Sequence, residues 1–231
     1  MAPRVSAAIG RALEAVFAAL LLVRRPKPIH ARGVVLQGRL SWRPAAQHSG
    51  IAWIDASPHP TVPLLARASR SLGLPAPLPD IVGLALRFDG PEGVADVELA
   101  STGFGVPSRF WLAPQRSPSR ARLGTLFPYR GANGPVLLCA RTSAPADLPV
   151  SLDALADRLE REPWRLTLYW ARPGGLWRAF ADLELSRRGG ARDTPLRFDA
   201  VENPLPGAGT YDWVAAVRQP SYRLARRFRA R

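Results

Sequence analysis

Cysteine, methionine, lysine and histidine are all scarce in this chain. Cys139 is the single cysteine, so no disulfide can form within the chain and no cysteine-based zinc cluster can be built. His30, His48 and His59 are the three histidines, too few for a site made mainly of imidazoles. Long apolar runs are missing too. The most apolar run, Ala15 to Val23, has nine residues, whereas a bilayer-spanning helix needs about 20. Arg11 and Glu14 lie upstream of it and Arg24-Arg25-Pro26-Lys27-Pro28 follows, which is not the pattern of a cleaved signal peptide. There is no Gly-x-Ser-x-Gly elbow, no Walker loop and no Gly-x-Gly-x-x-Gly turn, so those hydrolase, nucleotide and dinucleotide chemistries have no carrier.

What is present is a globular composition. Apolar residues make up 47% and charged residues 22% of 231 positions, enough to bury one sizeable core. The 32 basic residues against 18 acidic ones give a net charge of +14. All the basic residues but Lys27 are arginines, spread evenly until residues 218–231, where they become dense. Even spreading favours arginine as a general surface residue. Such a surface also allows weak, non-specific contact with nucleic acid or an anionic membrane. The chain is expected in the cytoplasm, or peripheral to a membrane.

Val5, Ile9, Leu13, Val16, Phe17 and Leu20 recur at helical spacing, which predicts an amphipathic helix within residues 1–26. Residues 27–231 then form one domain. Eight stretches read as strands: 30–42, 62–69, 82–88, 94–100, 135–142, 165–172, 177–186 and 195–201. Asp89-Gly90-Pro91-Glu92-Gly93 joins two of them as a hairpin. In 177–186, Trp177, Ala179, Ala181, Leu183 and Leu185 alternate with polar residues. Ser151 predicts an N-cap for one inserted helix that Pro163 ends, and residues 107–134 read as mostly loop. Trp164, Trp170, Trp177 and Trp213 are expected in the core, with Cys139 buried and inert. The fold expected is α+β: a closed eight-stranded antiparallel β-barrel with an N-terminal, an inserted and a C-terminal helix, because closure removes exposed strand edges.

Three segments carry the chemistry. The first is His30-Ala31-Arg32-Gly33, followed by Gly38. The second places Pro63, Arg67, Ser69, Asp80, Gly83, Ala85, Arg87 and Phe88 along residues 61–88. The third is Arg218-Gln219-Pro220-Ser221-Tyr222. An arginine four residues before a tyrosine on a helix shares its face. It would favour a phenolate, which otherwise needs a pH near the phenol pKa of about 10. Together, in this order, the segments resemble the haem catalases over residues 27–110 and 196–229.

That resemblance implies haem b with Tyr222 as axial iron ligand and Arg218 beside the phenolate. It implies His30 as the distal acid–base group, Ser69 fixing the imidazole, and Arg67 binding a propionate. Lys27, Arg226 and Arg229 are further propionate candidates, and Phe104 an aromatic wall. Aligned by Asp96 and Thr102, the position of the family's distal asparagine holds Ser101, whose hydroxyl lacks an amide donor. The expected activity is therefore peroxidase-like, on hydrogen peroxide or organic hydroperoxides, with weak true catalase turnover. Assembly into homo-oligomers is common among such proteins. The alternatives are a non-catalytic haem binder, a haem-free relative of the same fold and a metal-dependent phosphodiesterase using Asp55, His59 and His48.

Overall fold

The computed structural model describes residues 32–44, 47–55, 61–90, 93–187 and 189–217. The amphipathic helix expected within residues 1–26 lies outside them, as do Lys27, His30, His59, Arg218, Tyr222, Arg226 and Arg229. Residues 212–217 are helical and lead toward the last of these.

Ten strands form one sheet: β1 Gly33–Trp42, β2 Thr61–Arg70, β3 Val82–Gly90, β4 Gly93–Thr102, β5 Arg122–Gly124, β6 Tyr129–Gly131, β7 Gly134–Ala144, β8 Trp164–Ala171, β9 Arg178–Ser186 and β10 Gly209–Thr210. The ring runs β1-β2-β3-β4-β5-β7-β8-β9 and back to β1, with every pairing antiparallel. This is a closed eight-stranded barrel, and β6 and β10 extend the β7 hairpin outside the ring. Closure leaves its staves no free edge. The inward residues Val34, Leu36, Leu40, Ala66, Ala68, Leu84, Leu86, Val97 and Leu99 belong to a single apolar cluster. Gly38 also points inward. A side chain there would meet Leu64 and Leu185, each about 2.6 Å from its Cβ position, so this glycine of the motif exists to let two leucines meet.

Each end of the barrel is closed. A short helix, α1 (Ala52–Asp55), drives Trp53 between Trp42, Phe88 and Phe180, with ring centroids 5.4, 5.0 and 5.7 Å apart. Trp42 Nε1 also donates to the Trp53 carbonyl at 2.7 Å. At the other end α2 (Leu152–Arg161) buries Leu155, Ala156 and Leu159, the stripe its periodicity predicts. Ser151 stands at its N-cap but makes no side-chain capping bond. A void of about 10 Å³ beneath α2, lined by Ala68, Ser69, Val82, Leu152 and Leu155, has room for a single water molecule.

Two expectations fail for physical reasons. Residues 195–201 form no strand, and the eighth stave is Arg122–Gly124, within the stretch read as loop. Segment 193–205 instead runs as a strap across the outside of β3 and β4, its backbone bonded to side chains. Asp199 N donates to Asp96 at 2.8 Å, Val201 N and Glu202 N donate to Asp199, and the Arg197 carbonyl accepts from Arg87. In β9 the register slips opposite Leu168/Tyr169. Phe180 becomes the extra residue of a bulge and is buried, while Ala179 is exposed. Trp164 and Trp170 are core residues, whereas Trp177 and Trp213 are half-buried.

Trp53→Ala removes the aromatic stopper from a packed end. It is expected to cost about 3–5 kcal/mol, read as a lower midpoint in urea unfolding at unchanged slope.

Candidate functional site

The described inward side chains pack into one apolar cluster, and the motif residues Arg67 and Ser69 lie on the outer wall. Strand register defines what that wall offers. Gly33 pairs with Ser69, Ser69 with Gly83, Gly83 with Ala100, and Ala100 with Gly124. Alternation places all five on the outward face, since their neighbours Val34, Ala68, Leu84, Leu99 and Leu123 fill the core. The result is a level strip in which no side chain is larger than a hydroxymethyl, with Ser69 its one polar group. One row further along the strands come Val35, Arg67, Ala85 and Glu98.

Ser101 is not part of this face. It lies inward beside Leu99, is 0% exposed, and its hydroxyl accepts from Val82 N at 3.0 Å. The expectation that Ser101 assists a distal imidazole is therefore corrected. The residue in line with Ser69 is Ala100, which presents a methyl group. Strand parity carries the signal: Val97, Leu99 and Ser101 share one phase, and Ala100 has the other.

Arg67 is buried, and its guanidinium lies over Gly33, whose Cβ position would be 2.6 Å from the guanidinium carbon. Gly33 must be glycine for that reason. Asp193 receives Arg67 Nε at 2.7 Å and Nη2 at 2.9 Å, and also Gly33 N at 2.9 Å. The arginine thus already holds a carboxylate in a two-point grip, supplied by the first residue of the strap. Sequence reasoning missed Asp193, because a lone aspartate after Gly189-Gly190 carries no motif.

The next rung holds the strap down. Arg87 Nε and Nη2 donate to the two oxygens of fully buried Asp96 at 2.7 and 2.6 Å. Asp96 Oδ2 also accepts from Asp199 N and Asn203 Nδ2, each at 2.8 Å. The hydrogen bond to Asp96 raises the Arg87 pKa above its ordinary value. Arg87 also lies 5.2 Å from the Phe198 ring centroid. Asp80, another residue of the motif, is structural: its carboxylate accepts from Leu72 N, Leu74 N and Ile81 N and turns the β2–β3 loop.

Beyond β5 a pocket of about 450 Å³ is lined by Phe110, Leu126, Phe127, Pro128, Pro135, Pro173, Tyr211 and Trp213. Leu126 has a φ of 60°, and Phe127 N donates to the Thr125 carbonyl at 2.6 Å. This is a tight γ-turn of the strained kind. Size and lining suit an apolar ligand.

Phe104 lies away from the small-residue strip. It stacks on Trp177 at 5.5 Å, with Arg141 4.9 Å from its ring centroid. Cys139 is buried, and burial pushes its thiol up to about 12, so it is inert as a nucleophile. Asp55 accepts from Ser49 N and Gly50 N, with exposed His48 4.0 Å away. Among the described residues no group of three His, Cys, Asp or Glu side chains could hold a metal ion. No described helix is long and apolar enough to cross a membrane.

No family model matches the chain, and no curated protein is similar to it in sequence. The fold does have solved relatives in shape. A crystal structure of a fungal catalase superposes with a TM-score of 0.64 at 15% identity, covering 92% of this chain and 62% of that one. The chain thus spans less than two thirds of the catalase's length, and its fold is the catalase-like β-barrel.

Asp96→Ala leaves Arg87 without its carboxylate and the strap without its anchor. The variant is expected to lose about 3–5 kcal/mol in urea unfolding, and protease cleavage within residues 193–205 should appear first.

Proposed function

We propose that this is a haem-binding protein of the catalase-like fold that acts on hydrogen peroxide or organic hydroperoxides, with weak true catalase turnover. The observation that carries the reading is the outer strip Ser69–Gly83–Ala100, whose own side chains are small, beside buried Arg67, whose guanidinium covers Gly33 at the end of the strip. The strip suits the face of a planar macrocycle, and Arg67 is built to grip a carboxylate, since it grips that of Asp193. The described residues therefore fit haem, provided that Asp193 yields Arg67 to a propionate. Asp193 lies on the strap and is 32% exposed, so it can turn out to solvent.

In this reading Tyr222 would hold the haem iron through its phenolate oxygen. Arg218, four residues earlier, favours the phenolate by its charge. His30 starts neutral, takes a proton from the near oxygen of the peroxide and returns it to the far one. Ser69 bonds the imidazole and sets its tautomer. Lys27, Arg226 and Arg229 are further partners for propionates. Haem, when bound, would supply the redox chemistry for cleaving an O–O bond. Ala100 offers no hydrogen bond to a peroxide, which is why little dismutation is expected. The apolar pocket at Phe127, Tyr211 and Trp213 favours organic hydroperoxides.

A second reading is a haem-free relative, in which Asp193 permanently occupies Arg67 and the barrel serves as a scaffold. The same two-point ion pair favours it.

The test is titration of the full chain with haemin, followed by absorption spectroscopy. Haem binding predicts a Soret band that changes form in Tyr222→Phe and a tighter complex in Asp193→Ala. A chain that gains no Soret band overturns it in favour of the haem-free reading. In the haem-loaded protein, Ala100→Asn supplies an amide donor and should raise oxygen release from hydrogen peroxide about tenfold or more.

A further inference from the structure

Residues 99–146 contain six arginines and no acidic residue. The fold gathers several of them on one part of the outer wall. Arg122 and Arg141 are direct cross-strand partners on β5 and β7. Like charges facing each other across a ladder destabilise a sheet unless something anionic joins them. Neither makes an ion pair within the described residues, and Arg122 instead donates from Nη1 to the Arg120 carbonyl. Thr102 pairs with Arg122 on one side and bridges to Leu112 on the other. Leu112, Thr102, Arg122 and Arg141 therefore form one row.

Above this row two loops are locked together. Arg109, 5% exposed, donates from Nη1 to the carbonyls of Arg172 and Gly175 at 3.2 and 2.9 Å. Trp177 Nε1 donates to the Phe104 carbonyl at 2.7 Å. Arg109 lies 4.6 Å from the Trp177 ring centroid, and Trp177 stacks on Phe104, whose other ring contact is Arg141. The loops 103–112 and 172–177 thus make one rigid platform. That platform gives its apolar side chains to solvent: Val106 is 56%, Trp111 61%, Leu112 50% and Leu176 81% exposed.

Four of the seven large apolar residues exposed among the described residues fall on these two loops, a concentration that marks an interaction surface. An exposed tryptophan and aliphatics flanked by arginines that have no acidic partner among the described residues have the chemistry of a bilayer interface. The apolar side chains enter the acyl boundary, and the guanidiniums meet lipid phosphates. We propose that loops 103–112 and 172–177, with Arg122 and Arg141, form a docking surface for an anionic membrane. Binding there would neutralise the facing Arg122–Arg141 pair and cover the apolar platform in one step. Four aliphatic and indole side chains with a single tryptophan favour lipid over single-stranded nucleic acid, which calls for several aromatic stacking partners. The surface adjoins the Ala100–Gly124 end of the small-residue strip, one outward row further along the strands, and does not depend on haem.

Flotation of the full chain with phosphatidylcholine vesicles, with and without phosphatidylglycerol, tests this. Binding should require phosphatidylglycerol and weaken with salt. Both Trp111→Ala/Leu176→Ser and Arg122→Glu/Arg141→Glu should lose about tenfold or more in vesicle affinity, with thermal unfolding unchanged or, for the charge pair, not lowered. Trp111 emission should shift to the blue on binding and lose that shift in Trp111→Ala. Undiminished flotation of both variants places membrane contact elsewhere and overturns the proposal. So does equal binding to neutral vesicles, or binding to single-stranded DNA that out-competes vesicles and falls in the same variants.

Discussion

Closure of the sheet through β7 and β8 is the constraint from which the rest follows. Once the ring is shut, every strand has one face committed to the core and one to the outside, and a residue's role is decided by its parity. Ser101 becomes a core hydroxyl satisfied by Val82 N. Ala100, one residue earlier, becomes part of the wall. Gly38 disappears beneath two leucines, while Gly33 becomes the seat of a guanidinium. The two plugs, Trp53 at one end and the Leu155/Leu159 stripe of α2 at the other, belong to the same apolar cluster as the inward strand residues.

The outer wall is finished by polar contacts of unusual directness. Two arginine–aspartate pairs on neighbouring rows, Arg67–Asp193 and Arg87–Asp96, fasten segment 193–205 across β2, β3 and β4. They differ in kind. Asp96 is fully buried and holds two further donors from the strap, so it is architecture. Asp193 is partly exposed at the strap's first residue and sits on the arginine that the proposed function gives to a haem propionate. One pair builds the wall, and the other ties the first residue of the strap to β2.

Away from that wall the charge distribution has its own logic. The net charge of +14 reads as diffuse along the chain, and much of it is: Arg43, Arg158, Arg165 and Arg192 all have acidic partners. The arginines of residues 99–146 have no acidic partner among the described residues; that stretch supplies no acid of its own, and the register sets Arg122 against Arg141. The same region carries the exposed Trp111 and Leu176. Local sequence bias and tertiary pairing together concentrate charge and apolar surface where neither alone would.

Seven of the eight staves, the hairpin at residues 89–93 and helix α2 were determined by short-range patterning: alternation, turn residues and a helical stripe. Strand parity within residues 94–102 was also there to be read. The eighth stave was not, because three residues, Arg122–Gly124, show no periodicity and are strand only because β4 and β7 flank them. The strap was misread in the opposite sense, since residues 195–201 have strand composition but find Asp96, Arg87 and Asn203 in place of a partner strand. The phase of β9 was lost at Phe180 because a bulge is a property of two strands in register, not of one. Arg67 and Ser69 could be singled out by motif, whereas Asp193 and Ala100 could not. Which atoms stand across a wall from each other is settled by pairings such as Gly83–Ala100, Gly33–Ser69 and Gly33–Asp193, 17 to 160 positions apart, and no short window contains them.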